Sequence, residues 1–187
     1  MANPNYDFLS LVRNRKTTFE FDESELPEKD VKYILECARW AASAHNEQPW
    51  KLIIIKNKKT IQDLIELGAY GAYYGTPKLA IAIVLEEMYS DKKALLKGQN
   101  KNYVTSHQYM DIGSIEAYII LAVESLGYKS AIISMPPEKA GAVLKVPKEK
   151  TTLLLIAIGG EKNNAYQKPH VRKSLSEIIN YEYYGEK

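Results

Sequence analysis

The hydrophobic residues of this chain follow two kinds of pattern. Some lie in continuous apolar runs rich in β-branched residues, which predict buried strands over residues 52–55, 79–85, 131–134 and 153–158. Elsewhere they recur every three or four positions, which predicts amphipathic helices over residues 5–14, from 27 to about 43–46, and over 58–67 and 137–144. Because strands and helices are interspersed, the pattern predicts an α+β fold in which helices flank a central sheet.

One predicted helix, residues 109–126, is apolar around nearly its whole circumference and is followed by a capping glycine. A helix of this kind is buried centrally or lies in a subunit interface. The stretch before it, residues 86–108, is polar and weakly patterned, so we predict a surface excursion with a short helix around 92–97. The tail after the last strand alternates charged residues with Tyr and Ile, which suits docking on a sheet edge or on a partner subunit.

Length and composition favour an ordinary globular protein. The 187 residues predict a single domain, 1–187, and 45% hydrophobic with 26% charged residues is typical of such domains. The 25 basic and 23 acidic residues nearly balance, which gives no argument for a nucleic-acid or membrane partner. No apolar run approaches the ~18 residues of a membrane span, and we expect no signal peptide. We therefore expect a cytoplasmic protein.

Several kinds of catalytic site are not supported by the sequence. Cys37 is the only cysteine and falls in an apolar helical stripe, so we expect no disulfide, iron–sulfur cluster or cysteine nucleophile. His45, His107 and His170 lack the spacing of metal ligands, and we expect no metal. The sequence contains neither a nucleophile elbow nor a Rossmann or P-loop glycine pattern.

Three polar features remain as candidates for a site. They are a basic cluster with a neighbouring hydroxyl, a polar segment that follows the second predicted helix, and a late basic cluster: residues 13–17, 41–50 and 168–173. Each alone is typical of a solvated surface or of a helix end, where Asn adopts the left-handed conformation and Pro stops the helix. Together, the two basic clusters could bind a phosphate monoester, which favours Arg and hydroxyl donors.

These segments resemble sequence motifs of the nitroreductase family of flavin-dependent oxidoreductases, and they occur in the same order along the chain. The first two are R-K-T-T-F-E-F at 15–21, which resembles R-R-S-x-R-x-F, and A-S-A-H-N-E-Q-P-W at 42–50, which resembles P-S-x-x-N-x-Q-P-W. The others are T-P at 76–77 before an apolar strand, D-I-G-S-I-E-A-Y at 111–118 with L-G-Y at 126–128, and G-G at 159–160 with H-V-R at 170–172. No single motif is specific, but the ordered set covers nearly the whole chain.

The resemblance implies a particular assembly and cofactor. It implies a nitroreductase-like fold with a central mixed or antiparallel sheet flanked by helices. It also implies a homodimer in which helix 109–126 is a long buried interface helix and the C-terminal tail docks on the partner. The cofactor would be FMN, the electron donor NADH or NADPH, and the acceptor a nitroaromatic, a quinone or a similar small molecule.

The resemblance also implies roles for individual residues. The phosphate and ribityl chain of FMN would be bound by Arg15, Lys16, Thr17, His170 and Arg172. From the partner subunit, the flavin would be contacted by Ser43, Asn46 and the backbone of Ala42 and Ala44. The backbone of Ile133, Ser134 and Met135 would approach the reactive N5 atom. We assign no catalytic acid or base, because the cofactor carries the chemistry.

Some points stay open at the sequence level. Phe19 replaces a cation of the family, which predicts a lower flavin potential or weaker FMN binding and keeps open a flavin-binding or regulatory dimer with little turnover. Reductive dehalogenation or enone reduction is a further alternative. Asp111 belongs either to the first turn of its helix or to the flavin pocket. The loop 68–75 and the stretch 86–108, including Tyr103 and His107, are candidates for the acceptor pocket.

Overall fold

A computed structural model describes residues 7–86, 101–166 and 171–185. The helices are α1 (Phe8–Asn14), α2 (Glu28–Arg39), α3 (Lys58–Glu66), α4 (Lys101–Ser125), α5 (Pro137–Leu144) and α6 (Leu175–Ile178). The strands are β1 (Trp50–Ile55), β2 (Leu79–Leu85), β3 (Lys129–Ser134) and β4 (Thr151–Gly159). Two short 3-10 turns, Ala44–Asn46 and Gly71–Tyr73, precede β1 and β2.

The four strands form one antiparallel sheet in the order β1-β2-β4-β3. At the β3 edge, Thr17 forms a parallel bridge with Ser130, so the segment after α1 lies against the sheet. The same segment then crosses to the end of β4, where Phe21 bridges with Glu161. The basic cluster of the N-terminal region is thereby attached to one edge of the sheet.

The core has two halves, because side chains alternate across a strand. One face of the sheet packs against α2 and α4 through bulky residues, among them Leu79, Ile81, Ile83, Ile156 and Ile158. The other face packs against α3 and α5, and there the central strands contribute Ala80, Ala82, Leu155 and Ala157. The predicted α+β arrangement of a sheet flanked by helices is confirmed.

Helix α4 is only half covered in this chain. One side is buried and includes Ile112, Ile115, Ile119 and Val123. The other side still carries large apolar residues that are exposed, namely Tyr109, Met110 and Tyr118. The sequence predicts apolar residues on all sides of this helix. Those on one side belong to the core, and those on the other form an exposed apolar surface.

Three expectations need correction. Helix α2 ends at Arg39, before 43–46, because hydrogen bonds between residues three apart tighten its last turn and the chain then becomes extended at Ser43. Helix α4 begins at Lys101, so residues 101–108 are helical and not an excursion. Asp111 consequently lies in the interior of α4, and its assignment to a first turn is wrong. The helix predicted around 92–97 lies outside the described residues.

Candidate functional site

The turn between α2 and β1 has a strained backbone. His45, Asn46 and Gln48 adopt φ values of 53°, 57° and 51°, in the left-handed region. Residues other than Gly and Asn lose about 1 kcal/mol in this conformation, because Cβ crowds the following carbonyl oxygen. Strain of this kind persists only where neighbouring groups impose it, and it clusters at functional sites.

Hydrogen bonds at both ends of the turn fix this conformation. The hydroxyl of Ser43 accepts from the amide of Gln48 at 2.9 Å. The amide of Ala44 donates to Oδ1 of Asp111 on α4, also at 2.9 Å. At the exit, Pro49 is buried and its carbonyl oxygen accepts from the amide of Glu86 at 3.1 Å. The turn is therefore attached to α4 at its start and to the end of β2 at its exit.

These bonds decide which polar groups of the turn remain for a ligand. Both backbone groups of Ala44 are engaged, because its carbonyl oxygen accepts from the amide of Glu47 at 3.1 Å. The side chain of Asn46 is exposed and makes no hydrogen bond with the described residues. Ser43 accepts one bond but still has its hydroxyl proton to donate. The Asn46 amide and the Ser43 hydroxyl are thus two side-chain groups of the turn that remain for a ligand.

The N-terminal cluster lies in a segment that is bonded to the edge of the sheet. The amide of Thr18 donates to the carbonyl oxygen of Ser130 at 3.3 Å, and Thr18 is fully buried. Arg15 is half-buried and Lys16 is exposed, and neither forms an ion pair with a described carboxylate. Two cations that no described carboxylate pairs with, next to the hydroxyl of Thr17, fit an anionic group such as a phosphate.

Phe19 joins this segment to the loop before β2. Its ring stacks on Tyr74 with centroids 5.1 Å apart and 26° between the planes. Its carbonyl oxygen accepts from the amide of Gly75 at 2.8 Å. Burial raises the pKa of the Tyr74 phenol, and the protonated hydroxyl is a hydrogen-bond donor. The sequence did not indicate that residue 19 would be half of an aromatic pair.

The end of β3 meets the beginning of the same loop. Ile133 and Met135 are buried, while Ser134 is exposed. A Cβ atom added at Gly68 would lie 2.6 Å from a methyl carbon of Ile133 and 3.3 Å from the carbonyl oxygen of Ser134. Because glycine lacks this atom, the loop approaches the strand end closely. The loop 68–75 therefore links β3 to the N-terminal segment.

One chain does not bring the turn and the N-terminal cluster together. Along α4, about 20 Å separates Asp111, which holds the turn, from Glu124 near the C-terminal end. Glu124 Oε1 lies 2.6 Å from Nζ of Lys129, at the start of β3 and next to the residue that pairs with Thr17. In the sheet, β1 and β3 are at opposite edges, about 14 Å apart.

Arg172 lies on an exposed tail. Large apolar side chains of this tail are open to solvent, among them Val171, Leu175, Ile178, Tyr181, Tyr183 and Tyr184. Ser174 and Glu177 form a capping box that starts α6. His170 and Lys168 lie outside the described residues. The roles predicted for the individual site residues stay predictions.

A cavity of about 810 Å³ occurs elsewhere, between α5 and the loop before β4. Its lining begins at Pro136, next to the end of β3, and includes Lys139, Lys145, Lys148 and Lys150. No residue of its lining was predicted for the site, and three of its four lysines are exposed side chains. We therefore give more weight to the strained turn and the N-terminal cluster than to this cavity.

Among the described residues, no three His, Cys, Asp or Glu side chains lie close enough together to hold a metal ion. Within the same ranges, no helix has the length and hydropathy needed to cross a membrane.

Comparisons with known proteins agree with this architecture. The model of the nitroreductase family matches residues 12–69, from the N-terminal cluster through α3. A nitroreductase family protein from Streptococcus pneumoniae superposes with a TM-score of 0.78 at 23% identity, over 93% of this chain and 99% of the other. This chain has the nitroreductase fold. An NADPH:FMN oxidoreductase from Vibrio harveyi, complexed with NAD+, also superposes with a TM-score of 0.78, at 15% identity over 96% of this nitroreductase-like chain and 78% of the other.

Sequence relatives extend the similarity. A provisionally named NADH dehydrogenase/NAD(P)H nitroreductase from Archaeoglobus fulgidus is 22% identical over 160 residues, which is 83% of this chain and 86% of that protein. A relative of the same name is 29% identical over 77 residues, and this match spans 41% of the chain and 40% of that protein. The predicted resemblance to the nitroreductase family is confirmed.

Proposed function

We propose that this protein is an FMN-dependent oxidoreductase that uses NADH or NADPH to reduce small acceptors such as nitroaromatics or quinones. The observation that carries the proposal is the strained turn at 43–48, which presents the Asn46 side chain, without a hydrogen bond to any described residue, at the position of the family's Asn. The names of the similar proteins, an NADPH:FMN oxidoreductase and an NAD(P)H nitroreductase, support the same cofactor and donor.

The residues present fit FMN in their chemistry. Arg15 and Lys16 supply cations that no described carboxylate neutralises, and Thr17 supplies a hydroxyl, which together suit the phosphate. Ser43 and Asn46 supply the short polar side chains that suit the flavin ring. When bound, FMN supplies the two-electron chemistry. The protein binds and orients it, and the end of β3 at residues 133–135 presents its backbone to the reactive edge.

We propose further that the enzyme is a homodimer and that each site uses both chains. In one chain, Asp111, which holds the turn, and Glu124, near the strand that pairs with Thr17, are about 20 Å apart along α4. The exposed apolar side of α4 and the exposed apolar tail are surfaces that a second copy would cover. In this arrangement, Ser43 and Asn46 of one chain reach the FMN whose phosphate is held by Arg15, Lys16, Thr17 and Arg172 of the other.

For the acceptor pocket we propose the loop 68–75, which lies beside Phe19 through the Tyr74 stack. His107 is a second candidate, because it precedes Asp111 by one turn on the same side of α4. The loop therefore adjoins the end of β3 at Gly68, and His107 lies one helical turn from the residue that holds the turn. Reductive dehalogenation and enone reduction are alternative reactions of the same site, and competition among acceptors in a turnover assay distinguishes them.

The proposal is tested on the purified protein. We expect a yellow protein with the absorption bands of oxidised flavin, which NADH or NADPH bleaches under anaerobic conditions. If the protein contains no flavin and does not take up added FMN, the proposal is overturned. If it binds FMN tightly but neither donor bleaches it, the alternative of a regulatory flavin-binding dimer replaces the enzyme. Phe19 motivates that alternative, because it replaces a cation of the family and the flavin would then be harder to reduce.

Asn46→Gly separates the ligand-binding role of the turn from its structural role. Glycine adopts positive φ without strain, so the thermal midpoint is expected to stay the same or rise slightly. Loss of the side-chain amide is expected to weaken FMN binding by about tenfold, the equivalent of a net hydrogen bond of about 1.4 kcal/mol. Titration of the apoprotein with FMN, followed by flavin fluorescence, measures this change. Unchanged affinity would mean that Asn46 serves only the turn.

A further inference from the structure

Asp111 is a buried acid in the interior of α4. Its residue is 8% exposed, and the neighbouring Ile112 and Ile115 belong to the core, so its position on the helix is fixed. Its Oδ1 atom accepts from the amide of Ala44 at 2.9 Å. A hydrogen bond from an amide to a buried carboxylate is stronger than one between neutral groups, because the local dielectric is low.

The other bonds of the turn do not replace this one. Ser43 accepts from Gln48 and Asn46 through its hydroxyl and its carbonyl oxygen, and these bonds close the turn upon itself. They leave open how the closed turn is oriented with respect to the helix beneath it. The bond from Glu86 to Pro49 fixes the exit of the turn, and the bond to Asp111 fixes its start at Ala44, two residues before Asn46.

We propose that Asp111 is a positioning residue that aims the side chains of Ser43 and Asn46 at the cofactor. It acts through the amide of Ala44 and does not touch the flavin. The proposal rests on the proposed function, because it concerns the residues that hold FMN there. The turn also stabilises Asp111, because without the Ala44 amide the buried carboxylate would lose this hydrogen-bond donor.

The test compares four variants of the full chain with the wild type. Asp111→Ala removes the acceptor, Asp111→Asn keeps an acceptor oxygen in nearly the same place, and Asp111→Leu removes the acceptor while filling the volume. The control is Tyr128→Phe, which removes a tertiary hydrogen bond at the other end of α4, from the Tyr128 hydroxyl to Asp30 at 2.8 Å. FMN affinity is measured by fluorescence titration, and amide hydrogen exchange is measured at residues 44–48 without FMN.

We expect Asp111→Ala and Asp111→Leu to weaken FMN binding at least tenfold and to speed amide exchange in the turn. Asp111→Asn is expected to stay within about threefold of the wild type. Tyr128→Phe is expected to lower the thermal midpoint without changing FMN affinity. If Asp111→Ala does not fold, Asp111→Leu and Asp111→Asn decide in its place.

The outcomes separate the two proposals. A wild-type chain that binds FMN, with either acceptor-deleted variant binding it equally well, overturns the positioning role and leaves the proposed function standing. Loss of affinity in Tyr128→Phe as large as in Asp111→Leu also overturns it, because any lost tertiary bond would then have the same effect. A wild-type chain that binds no FMN overturns the proposed function, and the positioning role with it.

Discussion

Arg15→Ala is expected to weaken FMN binding by about ten- to a hundredfold while the thermal midpoint of the apoprotein hardly changes. A hydrogen bond to a charged group contributes about 1.5–3 kcal/mol, which corresponds to this range of affinity. The effect on folding is expected to be small, because Arg15 forms no ion pair with the described carboxylates. Fluorescence titration of the apoprotein gives the affinity, and differential scanning fluorimetry gives the midpoint.

Arg13→Ala is the matched control for this prediction. It removes the same charge from an exposed position in the last turn of α1, two residues before Arg15. We expect it to change FMN affinity less than threefold and to leave the response to salt nearly as it is in the wild type. Equal losses in both variants would mean that only the net charge of this region attracts the cofactor, and that Arg15 does not contact the phosphate.

Removal of residues 174–187 is expected to convert the proposed homodimer into a monomer and to abolish most FMN binding. The removed tail carries exposed apolar side chains, of which Leu175 is 71% and Tyr184 100% exposed. Covering such residues contributes about 25 cal/mol for each Å² removed from water, so several of them together stabilise a dimer by several kcal/mol. Sedimentation velocity measures the mass, and the ratio of flavin to protein absorbance measures occupancy.

The control for this truncation is a shorter one that removes residues 185–187 and keeps all the apolar residues of the tail. It is expected to remain a dimer with full flavin content. The longer truncation retains Arg172, so a loss of FMN cannot be attributed to this predicted phosphate ligand. A truncated chain that remains dimeric with full flavin content would contradict docking of the tail on a partner.

Much of the fold was predictable, because local sequence and tertiary environment favour the same structure. The predicted strand at 79–85 and the helix at 137–144 match β2 and α5 residue for residue. In β2 the residues are apolar without interruption, and the strand is buried on both faces. In α5, Pro137 occupies the first helical position, where proline is favoured. Neither element needs information from distant residues.

The start of α4 could not be predicted in the same way. Residues 101–108 are mostly polar, so they show no hydrophobic period that would mark a helix. The helix there continues from the strongly apolar segment after residue 109. A helix predicted to start at residue 109 places Asp111 in its first turn, where an acid is favoured by the helix dipole.

The candidate site was predictable in its residue types and less so in its geometry. A left-handed Asn46 was expected from ordinary turn chemistry, but His45 and Gln48 in the same conformation were not, since their side chains disfavour it. The bond that holds the turn joins residues 67 positions apart, which no local pattern reveals. The contacts with FMN stay predictions, because they are expected to involve two chains.

The hydrogen bond between Ala44 and Asp111 has a consequence for the order of folding. It closes a long loop, and loop closure becomes favourable only when the contacts it brings together are already stable. The turn is therefore expected to reach its final shape after α4 has packed on the sheet. A chain that has folded its core but not this turn would be compact and still unable to hold its cofactor, so recovery of flavin binding should lag behind recovery of helical structure during refolding.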